Sequence, residues 1–88
     1  MEVTTIVEQD IADKIDTQYV AAQFSHVKKV GIVFLCTKDE HDQEEDEWID
    51  DSGRHNFVIR VPYDLVKRSD DVRAILVAIV RERLGIAA

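Results

Sequence analysis

Apolar residues recur early in the chain at Val7, Ile11, Ile15, Tyr19 and Ala22, at spacings of three and four. That period predicts a first helix from about Ile6 into the low twenties. Thr5 and Glu8 stand at the capping-box spacing, a hydroxyl followed three residues later by a carboxylate, and would start it. The stripe does not stay in register: Val20, Phe24 and Val27 fall on another face, so the helix either ends between residues 19 and 25 or buries a second side. A short strand at Val3, Thr5 and Val7 is the competing reading.

Val30 to Thr37 is a nearly unbroken apolar run rich in β-branched residues, the pattern of a strand buried on both faces. His55 to Val61 alternates instead. Phe57, Ile59 and Val61 share one face, and Asn56, Val58 and Arg60 take the other, which predicts a second strand. Pro62 cannot donate to a ladder and suits the start of a helical turn, expected over Tyr63 to Arg68. Ser69-Asp70-Asp71 then supplies an N-cap hydroxyl and two carboxylates for a last helix, with Gly85 at the C-cap. On a helical wheel Val72, Ile75, Leu76, Ile79 and Val80 cluster, while Arg73, Val77 and Arg81 point away. Burying those five side chains would contribute on the order of 8 to 12 kcal/mol of gross apolar transfer energy.

These elements predict a single α+β domain over residues 1–88, ordered helix, strand, acidic insert (38–54), strand, helix (αββα). Two helices would cover one face of a small antiparallel sheet. A two-stranded sheet is marginal, and one helical layer would leave the second face of Val30 to Cys36 bare. Self-association through that face or through a strand edge would answer this, and predicts a homodimer whose interface includes Ile32, Phe34 and Phe57. The competing answer is an extra strand, from the N-terminus or from Glu47-Trp48-Ile49.

Charge changes the picture in one place. The chain carries a net charge of −7, and the segment from Lys38 to Asp51 holds nine carboxylates against one lysine. The remaining residues are close to neutral. So dense a charge must be solvated, paired or bound to something cationic. The solitary cysteine, Cys36, lies inside the apolar run, so no intramolecular disulfide forms. Together with an N-terminus lacking a basic start and an apolar signal-length stretch, this predicts a reducing, cytoplasmic setting with no membrane association.

The function expected from these features is macromolecule binding through the acidic insert. The candidate contact residues are Asp39, Glu40, Asp42, Glu44, Glu45, Asp46, Glu47, Trp48, Ile49, Asp50 and Asp51. Trp48 and Ile49 would be apolar anchors within a charged rim that steers a basic partner. Carboxylates that imitate phosphates would suit an inhibitor, or a nucleic-acid-mimicking modulator of host or viral origin, acting on a basic or nucleic-acid-handling protein. Direct nucleic-acid binding is disfavoured, although residues 52–88 are net +3. The alternative is an assembly subunit that oligomerises through its apolar sheet face, with the acidic loop only a solvated spacer.

Chemistry finds less support. Loops begun at Asp39 or Asp42 lack the glycine that a helix-loop-helix calcium site needs at its sixth position, leaving at most a weak divalent site. His26, His41, His55 and Cys36 follow no zinc-ligand spacing. No phosphate loop, nucleophile elbow or Cys-His arrangement is present, and an open acidic loop does not separate carboxyl pKa values as acid-base catalysis requires. No cofactor is called for, and the chain is not expected to be an enzyme.

Overall fold

The computed structural model describes residues 1–39 and 46–86. Four strands, β1 (Glu2–Val7), β2 (Val30–Cys36), β3 (Glu47–Ile49) and β4 (His55–Arg60), form one sheet in the order β1-β2-β4-β3. A 3-10 helix (Gln9–Lys14) and α1 (Thr17–Gln23) connect β1 to β2, and α2 (Tyr63–Arg68) and α3 (Val72–Leu84) follow β4. The fold is α+β, but neither the αββα order nor an all-antiparallel sheet is found. β1 pairs parallel with β2 and β2 parallel with β4, and only β3 runs antiparallel, against β4.

The first helix is the largest departure. Residues 3–7 are Val-Thr-Thr-Ile-Val, all β-branched, and their restricted χ1 favours an extended backbone over a helical one. They form β1. The capping box does not close; the Glu8 carboxylate instead accepts the backbone N–H of Lys38 at 2.9 Å, tying the end of β1 to the end of β2. Ile11 and Ile15 still reach the core from the 3-10 segment. The helix proper starts later, where the Asp16 side chain caps it by accepting the Tyr19 N–H at 3.0 Å.

β2 and β4 were expected to form a hairpin. They run in the same direction, and the chain enters β4 from β3, which lies antiparallel beside it, through a turn at Asp50 to Gly53. The continuous apolar character of β2 fits this central position between two parallel neighbours. Both extra strands weighed from the sequence, at the N-terminus and at Glu47-Trp48-Ile49, are present.

Register fixes the faces. Val3, Ile32 and Phe57 align across the sheet, as do Thr5, Phe34 and Ile59, and these side chains point to the helical side. Buried side chains from that face and from every helix, among them Ile11, Phe24, Phe34, Val66 and Leu76, belong to one cluster. The three residues expected at an exposed interface, Ile32, Phe34 and Phe57, are therefore core, at most 6% exposed. Phe57 shares a face with Ile59, as the alternation of β4 indicates, but the face that carries all three residues is the one that the helices cover.

α3 is capped by Asp71, whose carboxylate accepts the Ala74 N–H at 3.2 Å, not by Ser69, whose hydroxyl bonds back to the Leu65 carbonyl. Gly85 closes the helix at φ 69°, the left-handed conformation that costs glycine least. The buried face of α3 is rotated from the expected stripe: Val72, Leu76, Val77 and Val80 are buried, and Ile75 and Ile79 only partly so. Arg73 and Arg81 flank that face and stack over the rings of Tyr19 and Phe24, so their stems shield apolar edges while the charges stay in water. Among the described residues no helix is long and apolar enough to cross a membrane.

Candidate partner-binding surface

The β3–β4 hairpin positions the part of the acidic segment that the structure describes. Its turn is organised by one carboxylate. Asp50 Oδ1 accepts the Ser52 N–H at 3.0 Å, the Ser52 hydroxyl at 2.6 Å and the Arg54 N–H at 3.0 Å, while Oδ2 accepts the Asn56 side-chain amide at 3.1 Å. The Ser52 hydroxyl, then Asn56 and the Arg54 N–H, hold this carboxyl well below the usual carboxylate range. Asn56, only 9% exposed, gives its amide also to the Arg54 carbonyl at 3.1 Å.

Other acids here are paired within the chain. Glu47 meets His55 and, at 3.3 Å, Arg83 from the last turn of α3. The Arg83 guanidinium lies 4.6 Å from the Phe57 ring centre, and the His55 ring stacks on Phe57 with ring centres 4.4 Å apart. Asp46 faces Arg60 at 3.8 Å. Asp46, Glu47 and Asp50 thus have internal roles, whereas the side chains of Asp39 and Asp51 are exposed. Glu40, Asp42, Glu44 and Glu45 lie outside the described residues.

The two apolar anchors separate. Because Trp48 pairs with Asn56 while Ile49 pairs with His55, Trp48 projects on the side of the sheet away from the helices and Ile49 on the helical side. They are 37% and 69% exposed. Trp48 thereby joins a surface that sequence reasoning assigned to other residues. Across this second face run Ile6, Leu35 and Arg60 in one row, Thr4, Val33 and Val58 in the next, and Glu2, Gly31, Asn56 and Trp48 in the third. Leu35 and Val58 are buried yet stand outside the main core cluster, and Ile6 is 51% exposed. No helix among the described residues lies over this face. Its apolar centre is rimmed by ion pairs, Glu2–Arg54 at 2.9 Å and Asp46–Arg60. The signal was present in the alternation of β4, since Val58 is the apolar residue on the polar side.

A second polar group escaped the sequence altogether. At the C-terminal ends of the parallel strands the Tyr63 hydroxyl donates to Asp10, and Lys67 lies 3.3 Å from the same carboxylate and 3.2 Å from the Tyr63 oxygen. The Tyr63 hydroxyl holds the Asp10 carboxyl below its usual range, and Tyr63 and Asp10 together push Lys67 up. Lys14 donates to the carbonyls of Val66, Lys67 and Ser69 at the end of α2. These contacts fasten the 3-10 helix to α2.

Cys36 is buried, and that burial pushes its thiol pKa up, leaving it a small apolar side chain. Among the described residues no group of three or more His, Cys, Asp or Glu side chains is arranged to hold a metal ion. Comparison of the chain with protein-family models, curated proteins and solved structures gives no match.

Proposed function

We propose that this chain is a protein-binding module that receives a basic partner on the face of its sheet opposite the helices and on the acidic segment bordering that face at β3. One observation carries the reading: Trp48 belongs to both surfaces, standing within the acidic segment in sequence and on the sheet face opposite the helices in register. A partly exposed tryptophan set among charged side chains has the composition of a binding hot spot. The acidic segment would steer the partner over distances where the neutral remainder of the chain exerts little field. A nucleic-acid-handling protein fits this charge pattern, with carboxylates standing where phosphates would.

Not every acid serves this purpose equally. Asp46, Glu47 and Asp50 are occupied by Arg60, by His55 and Arg83, and by the turn, so the steering charge falls to the remaining carboxylates of the segment. The test is affinity capture from the native cell with a salt-gradient elution, followed by binding measurements on the captured protein. Trp48→Ala should weaken that binding by about 2 kcal/mol or more. Glu44→Gln, Glu45→Gln and Asp51→Asn together should slow association and flatten its salt dependence. If both variants bind the captured protein as the wild type does, this reading is wrong.

A further inference from the structure

The two edges of the sheet are built differently. β3 is three residues long and bounded by Asp46 and Asp50, a short and charged edge of the kind that discourages further pairing. β1 is six residues long, Glu-Val-Thr-Thr-Ile-Val, with no proline, no lysine and an uninterrupted register against β2. The Glu8 N–H donates to the Cys36 carbonyl, and Ile6 aligns with Leu35. In the parallel ladder Glu2, Thr4 and Ile6 therefore turn their backbone groups toward β2, and Val3, Thr5 and Val7 turn theirs outward. Among the described residues these outward groups bond to no other element.

We propose that the outer edge of β1 pairs with the same edge of a second copy of this chain, antiparallel and centred on Thr5, making one continuous eight-stranded sheet. The sequence is self-complementary in that register. Val3 stands opposite Val7, Thr5 opposite Thr5, and Thr4 opposite Ile6, so each outward backbone group meets its complement and each pair joins β-branched side chains. Ile6, half exposed in the single chain, gains a neighbour on the face opposite the helices. Glu2 comes opposite Glu8, but Arg54 already neutralises Glu2 and the Lys38 N–H holds Glu8.

Charge distribution selects this edge for a second copy. The acidic segment enters the sheet at β3, the strand farthest from β1. Pairing through β1 would hold the two β3 edges about 34 Å apart at the usual strand spacing, several times the ~8 Å screening length at physiological salt. Pairing through β3 would bring like charges together. This inference is independent of the partner-binding reading, since its test reads the mass of the chain alone.

Sedimentation equilibrium of the full chain should give twice the 10.1 kDa chain mass. Thr5→Pro removes an N–H that only the dimer uses, and Ile6→Lys places a charge at the edge without touching the core. Both should sediment as monomers with an unchanged circular dichroism spectrum. Should Thr5→Pro fail to fold, Ile6→Lys and amide exchange decide: protection at Val3, Thr5 and Val7 should fall on dilution. A wild type that stays monomeric at millimolar concentration, a dimer that survives Ile6→Lys, or protection independent of concentration would each overturn the proposal.

Discussion

A Cβ added to Gly31 would stand 2.2 Å from Oδ1 of Asn56, its partner across β2 and β4. Asn56 cannot easily retreat, because its amide is held by Asp50 and by the Arg54 carbonyl. Glycine at the second position of β2 thus makes room for the side chain that anchors the β3–β4 turn and, through it, the strand that carries Trp48.

Gly31→Ala should accordingly destabilise the protein by about 1 to 3 kcal/mol, the cost of overpacking a closed site. Combining it with Asn56→Ala should be less damaging than the sum of the two single changes, because the second removes the atom the first collides with. Denaturant unfolding of the four proteins measures the coupling, and strict additivity would show that the contact is not the source of the effect.

Acid sensitivity should centre on the same turn. The folded state depresses the Asp50 carboxyl pKa, as it does less extensively those of Asp10 and Asp16. Their contribution is present above the unfolded carboxylate pKa of about 4 and is lost as pH falls through the lower folded values. The thermal midpoint should therefore drop steadily below pH 4, and Asp50→Asn should drop less steeply over that interval. Identical slopes for the two proteins would remove Asp50 from this account.

The rotated face of α3 separates neighbouring positions. Leu76→Ala should cost about 2 to 5 kcal/mol as a buried leucine truncated in a packed core. Val77→Asp should prevent folding, whereas Ala78→Asp, on the exposed side, should change stability by less than about 0.5 kcal/mol. Thermal melts of the three variants check the orientation.

Gly85→Ala should cost about 1 kcal/mol, because alanine is strained at φ 69° while the helix end still needs that conformation for the Ile86 N–H to reach the Arg81 carbonyl at 3.0 Å. A neutral outcome in urea unfolding would mean that the last turn frays freely.

Much of the secondary structure was legible in the chain. The β-branched run of β2, the alternation of β4, Pro62 before α2 and Gly85 after α3 are local signals, set by side-chain sterics and backbone donors within a few residues. The N-terminal segment misled because its three-and-four spacing survives in a strand followed by a 3-10 helix: Ile11 and Ile15 reach the core in either case, while the β-branched stretch 3–7 decides the backbone.

The sequence by itself determined the α+β class, the alternation of Phe57, Ile59 and Val61, and the place where negative charge gathers, because each depends on residue type and short-range period. Only the tertiary structure decided which face of the sheet is covered. Period-two alternation distinguishes two faces but does not say on which of them the helices settle, so Ile32, Phe34 and Phe57 became core and Ile6, Val33, Leu35 and Val58 the outer patch. Strand direction was equally beyond local reading, since it depends on pairing between residues far apart in the chain. The register of β3 against β4 brings Trp48 to the face opposite the helices and leaves the described part of the acidic segment on the edge opposite β1.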